Sequence, residues 1–290
     1  MGWRHLKSSS EIDWQYDVGT YHPAAAGVSE AKVAQSQETR AALPCTLDIP
    51  YGPTARQLLD VFPAEHPGAP VMVFIHGGYW KSRTSTKDTH SWVAMGCRPR
   101  GFTTVVVEYD LCPDVSIGTI VAQVRAALVW VHRNIAGHGG DPSRVHVAGS
   151  SAGGHLTAMV AVTNWSDYGL PRDVVSGATG ISGLYDLGPF EFSFLQPVLF
   201  LDSERIMRNS PLFHARADLC PLLVLWGGDE TPEFARQADA MHAAWTDAGN
   251  HCAMAEVPGR DHYTISGGFL DPDDSAFGRV FWPHVMSCWS

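Results

Sequence analysis

VHVAGSSAGG, residues 145–154, sets a short β-branched run directly before a glycine-flanked serine, and a helix-forming segment follows from Ala152 to about Thr163. Strand, sharp turn and helix, in that order, form the context in which G-x-S-x-G lifts a serine hydroxyl clear of a sheet. The central residue of such a turn sits in strained backbone. Side chains on either side would strike neighbouring backbone, so Gly149 and Gly153 occupy those places. Ser151 is the candidate nucleophile, with the amide of Ala152 beneath the reaction centre. Ser150 is the alternative, but it lies off the central position.

On both sides of this turn the chain alternates strands and helices. Val71–Ile75 and Thr103–Tyr109 are continuous apolar runs of strand length, which read as buried strands of a parallel sheet. Between Ile117 and Ile135 the apolar residues fall at Ile117, Ile120, Val121, Val124, Leu128, Val131 and Ile135, the spacing of one helix face. Gly137 to Asp141 ends that helix, and Pro142 blocks its continuation. Val174–Ser182, Leu222–Trp226 and Cys252–Val257 are further strand candidates. Helices are expected from Pro232 to about Ala248 and from Ala276 to Cys288. Leu47 to Phe62 reads as strands around a turn at Tyr51-Gly52-Pro53. The pattern predicts an α/β protein, with a mostly parallel central sheet and helices on both faces. We expect a single domain over 1–290. Residues 1–44 form an N-terminal extension, helical from Ala24 to Leu43, which packs beside the site or against another subunit of a homo-oligomer. Residues 188–215 break the alternation with Phe190, Phe192, Phe194, Leu195, Leu199 and Phe200, and are expected to form a small cap insertion over a pocket.

A serine hydroxyl is a weak nucleophile until a base takes its proton, and that base is commonly a histidine oriented by a carboxylate. In open α/β sheets active groups gather at the carboxyl ends of strands. Asp229, close behind the Leu222–Trp226 strand, is the favoured acid, with Glu230 as its competitor. His262, just after the last strand, is favoured among the histidines by position. The order Ser151, Asp229, His262 puts each residue on a loop that follows a strand. His76-Gly77-Gly78-Tyr79-Trp80 follows the Val71–Ile75 strand. Two glycines let backbone approach a substrate, so the amides of Gly78 and Tyr79 are expected to join that of Ala152 as oxyanion donors. Such donors are worth about 3 kcal/mol each. His76 is expected to hold this loop by hydrogen bonding.

Other chemistries are poorly supported. H-E-x-x-H and G-x-x-x-x-G-K-[ST] are absent, and the histidines lack metal-ligand spacing, so neither metal nor organic cofactor is expected. Gly137-His138-Gly139-Gly140-Asp141 precedes a strand, the wrong order for a phosphate cradle. The net charge of −10 and the lack of a basic run with interleaved aromatics argue against nucleic acid and anionic membranes. No segment approaches the roughly 18 apolar residues of a membrane span. MGWRHLKSSSEIDW carries no signal-peptide core, and Leu6 breaks the myristoylation pattern. The 6 cysteines are scattered, without C-x-x-C, and are expected to be reduced. A cytoplasmic location is expected. The 10 tryptophans and the aromatic insertion suggest an aromatic substrate, though core packing explains most of them equally well.

H-G-G-Y-W at 76–80 followed by G-x-S-A-G-G-H-L at 149–156 resembles the α/β-hydrolase fold, in the branch of kynurenine formamidases (arylformamidases) and related bacterial esterases. The resemblance runs from about Leu47 to His262. It includes Tyr51-Gly52-Pro53, Tyr109-x-Leu111-x-Pro113, Gly183-Leu184-Tyr185-Asp186-Leu187 and Asp229-x-x-Pro232-Glu233-Phe234. It implies a triad of Ser151, Asp229 and His262, with oxyanion donors at Gly78 and Tyr79, and a small ester or aryl formamide such as N-formylkynurenine as substrate. The family's G-H-S-A-G has histidine where this chain has Ser150, which leaves the mechanism intact and alters the floor of the site. A hydrolase-fold protein that only binds its ligand is the competing reading, and all three triad candidates weigh against it.

Overall fold

The computed structural model describes residues 3–21 and 25–289. Eight strands form one sheet in the order β1-β2-β4-β3-β5-β6-β7-β8. They are β1 (Thr46–Pro50), β2 (Leu58–Phe62), β3 (Ala69–Ile75), β4 (Thr103–Val107), β5 (Gly140–Ser150), β6 (Gly177–Ile181), β7 (Leu222–Gly227) and β8 (Cys252–Val257). β2 runs antiparallel to its neighbours β1 and β4, and every other pairing is parallel. The helices are α1 (Ser9–Tyr16), α2 (Val18–Tyr21), α3 (Ala25–Ala42), α4 (Val93–Cys97), α5 (Ile117–Asn134), α6 (Ala152–Ala161), α7 (Gln196–Leu199), α8 (Ser203–Asn209), α9 (Pro232–Asp247) and α10 (Gly278–Ser287).

The two-residue period of the strands divides the core. Val71, Val73 and Ile75 of β3 join one apolar cluster, with residues of α5, α6 and α9. Met72 and Phe74 point the other way, into a second cluster with Trp92, Phe269, Phe281 and Trp282. Each strand therefore needs apolar side chains at every position, which is why the central strands read as unbroken runs. α5 starts where Ser116 accepts a hydrogen bond from the Thr119 amide, and it buries the expected face of Ile120, Val121, Val124, Leu128 and Val131.

Most differences from the sequence reading lie at element ends. Gly139 takes a left-handed turn with φ 81° and stops the chain after α5, but β5 begins at Gly140, ahead of Val145. α6 ends at Ala161, and the Thr163 hydroxyl bonds back to the Met159 carbonyl at 2.8 Å. α3 starts at Ala25; Ala24 lies outside the described residues. α1 was not foreseen. It is two turns long, capped by Ser8, and only Ile12, Gln15 and Tyr16 are buried, too short a pattern to stand out. No helix of the described residues is long and apolar enough to cross a membrane.

Candidate active site

β4 lies on one side of β3, whereas β5 and the strands after it lie on the other. The chain thus reverses direction across the sheet between β3 and β5, and the crevice beyond their carboxyl ends is where ligands bind in open sheets. The register sets Ile75 beside Gly149, so the loops after the two strands leave the sheet at one level. They touch. A Cβ on Gly77 would lie 2.7 Å from the Ser150 carbonyl oxygen and 3.0 Å from the Ser151 Cβ. A Cβ on Gly153 would lie 2.0 Å from the Ile75 carbonyl oxygen, and one on Gly149 would lie 2.3 Å from that of Gly153. These contacts are why the turn carries glycine on each side of the serine. Ser151 itself has φ 59° and ψ −121°, strain that costs on the order of 1–3 kcal/mol and must be held by its surroundings. Its amide donates to the Ile181 carbonyl at 2.8 Å.

The structure places Glu230, and not the favoured Asp229, beside His262. His262 Nδ1 lies 2.6 Å from Glu230 Oε1, and the two side chains are 8% and 1% exposed. Glu230 Oε2 accepts from the Gly227 amide at 2.7 Å and the Ser182 hydroxyl at 2.6 Å. Asp229 instead is exposed, and its amide bonds to the Arg260 carbonyl at 3.0 Å. The turn after β7 explains the exchange. Gly227 to Glu230 folds back on itself, with the Glu230 amide donating to the Gly227 carbonyl at 3.1 Å. Asp229 at its far corner is exposed, and the next residue turns back so that a glutamate side chain reaches His262. A carboxylate only accepts, so Nδ1 carries the proton and Nε2 is left as the basic nitrogen.

The oxyanion-loop candidates lie on strained backbone. Gly78, Tyr79 and Trp80 have φ of 111°, 53° and 58° in succession. Among the described residues, no hydrogen bond uses the amides of Gly78, Tyr79 or Ala152. Side chains fix the loop from beneath. His76 is fully buried, with Nδ1 2.8 Å from the Gly77 carbonyl and Nε2 3.1 Å from Glu108 Oε1. It stacks on Tyr109, whose hydroxyl donates to the His76 carbonyl at 2.7 Å. Burial works against the charge on Glu108, but His76, Arg56 and the Tyr109 amide outweigh it and bring the carboxyl down to about 2. Trp80 Nε1 donates to His155 Nδ1 at 3.1 Å, which places the imidazole proton on Nε2, 2.6 Å from the Asn209 carbonyl. From above, the Tyr79 hydroxyl donates to the Tyr16 carbonyl at 2.5 Å and accepts from the Val18 amide at 3.3 Å. Tyr16 in turn donates to buried Glu233 at 2.7 Å. None of Glu108, Ser182, Tyr16 or Glu233 carried a signal of this role in the sequence, because each acts through contacts between distant segments.

Ser151, Ser150, His262, Gly77, Gly78 and Tyr79 line one cavity of about 630 Å³. Its outer wall comes from Val18 and from α3, through Ser29, Glu30, Lys32, Val33, Ala34 and Gln37. Residues 188–215, expected as a cap, line none of it. Their apolar side chains Phe190, Leu195, Leu199 and Leu201 are consumed in the core on the α5–α6 face. The N-terminal segment closes the site in their place. Among the described residues no group of three or more His, Cys, Asp or Glu could hold a metal ion.

The chain is similar to known proteins over most of its length. The family model BD-FAE matches residues 59–176, the segment from β2 to just short of β6. Kynurenine formamidase of Danio rerio is 28% identical over 282 residues, covering 93% of this chain and 94% of that protein. Esterase LipQ of Mycobacterium tuberculosis is 30% identical over 240 residues, 75% of this chain and 56% of its own length. Among solved structures, a candidate thioesterase from Silicibacter sp. tm1040 superposes with a TM-score of 0.79 at 28% identity, covering 92% of this chain and 97% of that one. The metagenomic carboxylesterase EstE1 has a TM-score of 0.69 at 21% identity and shares the fold, over 91% of this chain and 96% of its own. With its eight-stranded, mostly parallel sheet and these relatives, the chain has the α/β-hydrolase fold and is similar to the kynurenine formamidases and bacterial esterases.

Proposed function

We propose that the protein is a serine hydrolase that cleaves a small carboxylic ester or aryl formamide through an acyl-enzyme on Ser151. The observation that carries this reading is the 2.6 Å contact between His262 and a buried glutamate, on a histidine that shares its cavity with the strained Ser151. His262 Nε2 takes the Ser151 proton as the hydroxyl oxygen attacks the substrate carbonyl. The negative charge that develops on that oxygen meets the amides of Gly78, Tyr79 and Ala152, which have no other partner among the described residues. The tetrahedral intermediate collapses as His262 gives its proton to the leaving amine or alcohol. Water then attacks the acyl-enzyme with the same histidine as base, and the acid leaves. Glu230 replaces Asp229 as the group that orients His262 and stabilises the imidazolium. No step needs a metal or an organic cofactor.

The test is a comparison of kcat/KM for N-formylkynurenine and for p-nitrophenyl esters of increasing acyl length, with Ser151→Ala as control. A preference for the formamide makes the protein an arylformamidase, and a preference for esters makes it a carboxylesterase. Ser151→Ala is expected to lose several orders of magnitude on either. A variant with full activity would refute the assignment.

A further inference from the structure

β6 lies between the nucleophile strand β5 and the strand β7 that leads to the acid. Its last residue, Ile181, sits beside Ser150 on one side and beside Leu225 on the other. The chain then turns a corner, and Ile181 and Ser182 reach different members of the candidate triad from it. The Ile181 carbonyl accepts the amide of Ser151 at 2.8 Å. The Ser182 hydroxyl donates to Glu230 Oε2 at 2.6 Å, its one hydrogen bond among the described residues. A carboxylate only accepts, so the hydroxyl proton points at Glu230. Oε2 has a second donor, the Gly227 amide at 2.7 Å, but Gly227 belongs to the same turn as Glu230 and moves with it. Ser182 comes from another strand, so it fixes the carboxylate relative to the sheet that carries Ser151. With Oε2 tied in this way, Oε1 is left facing His262 Nδ1 at 2.6 Å.

The surroundings hold this corner in place. Ser182 has φ 48°, a left-handed conformation that a residue with a Cβ keeps only where its neighbours enforce it. Its amide donates to the Leu225 carbonyl at 2.7 Å. The fully buried Tyr185 fills the space on either side: a Cβ on Gly180 would lie 2.1 Å from its hydroxyl oxygen, and one on Gly183 would lie 2.4 Å from it. α6, which follows Ser151, presses on the corner as well, since a Cβ on Gly154 would lie 2.9 Å from the Gly183 Cα. Glycine at 182 would relieve the left-handed strain and give up only the hydroxyl. A serine that is 1% exposed in such a place indicates that the hydroxyl is what the position needs. We infer that Ser182 is a positioning residue of the proposed reaction: its hydroxyl turns the Glu230 carboxylate toward His262, and the Ile181–Ser182 corner thereby sets nucleophile and acid from one rigid point. The part in the reaction rests on the hydrolase reading, and the orientation of the carboxylate stands on the geometry alone.

The experiment compares Ser182→Ala with Ser182→Gly. Both remove the hydroxyl, but alanine keeps the left-handed strain and glycine relieves it. Ser182→Gly is therefore expected to be the more stable of the two in urea denaturation. On p-nitrophenyl acetate both are expected to lose roughly 10- to 100-fold in kcat, the range of a small displacement of a catalytic group, with KM within about twofold. A merely structural serine would instead give losses that follow stability, large in Ser182→Ala and small in Ser182→Gly. A kcat within about twofold of wild type in either folded variant overturns the inference. The proton that His262 Nδ1 donates to Glu230 gives a second reading that needs no substrate. It is expected as a far-downfield proton resonance in the wild type, absent in Glu230→Gln, whose NH₂ faces Nδ1. In Ser182→Gly it is expected to move upfield and weaken as the carboxylate turns away, and a resonance unchanged in position and width overturns the inference. Should the wild type hydrolyse no ester, the hydrolase reading fails on its own, and the resonance alone decides whether Ser182 orients Glu230.

Discussion

Exchanging Glu230 for Gln tests the corrected acid. The neighbours of Glu230 dictate how the new amide must lie. Oε2 faces the Gly227 amide at 2.7 Å, which can only donate, and the Ser182 hydroxyl at 2.6 Å. The glutamine oxygen must take that place, so its NH₂ turns toward His262 Nδ1. An imidazole that accepts at Nδ1 carries its proton on Nε2 and cannot act as base toward Ser151. The charge is lost as well. An imidazolium and a carboxylate about 4 Å apart between charge centres interact by about 4 kcal/mol at an effective dielectric of 20, or about 10³ in rate. Glu230→Gln is thus expected to lower kcat on p-nitrophenyl acetate by roughly 10³- to 10⁴-fold with little change in KM. Asp229→Asn, exposed and away from His262, is expected to stay within about twofold. Both proteins should be checked for folding by thermal denaturation. If Asp229→Asn loses a hundredfold or more while Glu230→Gln keeps most of its rate, the assignment from geometry is wrong.

Three further outcomes are expected. Gly153→Ala sets a Cβ against the Ile75 and His76 carbonyl oxygens, at 2.0 Å and 2.7 Å, so β3 and α6 must part; a loss of about 3 kcal/mol or more in urea denaturation is expected, and an unchanged midpoint would show that the elbow has slack. Glu108 is held down to about 2 from an ordinary value near 4.5, so its contribution of roughly 3 kcal/mol is present above about pH 4.5 and is lost as pH falls toward 2. Glu108→Gln should therefore flatten the acid limb of stability against pH, and an identical limb would remove Glu108 from the account. Tyr79→Phe removes the hydroxyl that bridges the Tyr16 carbonyl and the Val18 amide. One hydrogen bond of about 1 kcal/mol corresponds to a fall in kcat of about fivefold, with KM nearly constant, if that tie positions the Tyr79 amide; equal falls in kcat and 1/KM would assign Tyr79 to substrate binding instead.

The strands and the nucleophile turn were legible because their causes are local. A strand buried on both faces must be apolar throughout, and the contacts of 2.0 Å and 2.3 Å that a Cβ would make at Gly153 and Gly149 leave only glycine there. The choice between Asp229 and Glu230 was not legible, because it depends on which corner of one turn faces His262. Proximity to the strand end favoured Asp229, whereas the turn brings Glu230 to His262. The expected cap at 188–215 lines none of the Ser151 cavity for a related reason. Aromatic residues at 188–215 mark a buried segment equally whether it covers a pocket or the core, and here they enter the core. α3 carries no such mark. Its cavity-facing side presents Ser29, Lys32 and Gln37, which look like an ordinary solvated helix face until the fold brings them over Ser151.

The most direct test is covalent labelling of the purified protein with a fluorophosphonate, read by intact-mass and peptide mass spectrometry. We expect one stoichiometric adduct, on the peptide that contains Ser151, with loss of esterase activity in step and no adduct in Ser151→Ala. A folded protein that takes no label, or takes it on Ser150, would contradict Ser151 as the nucleophile.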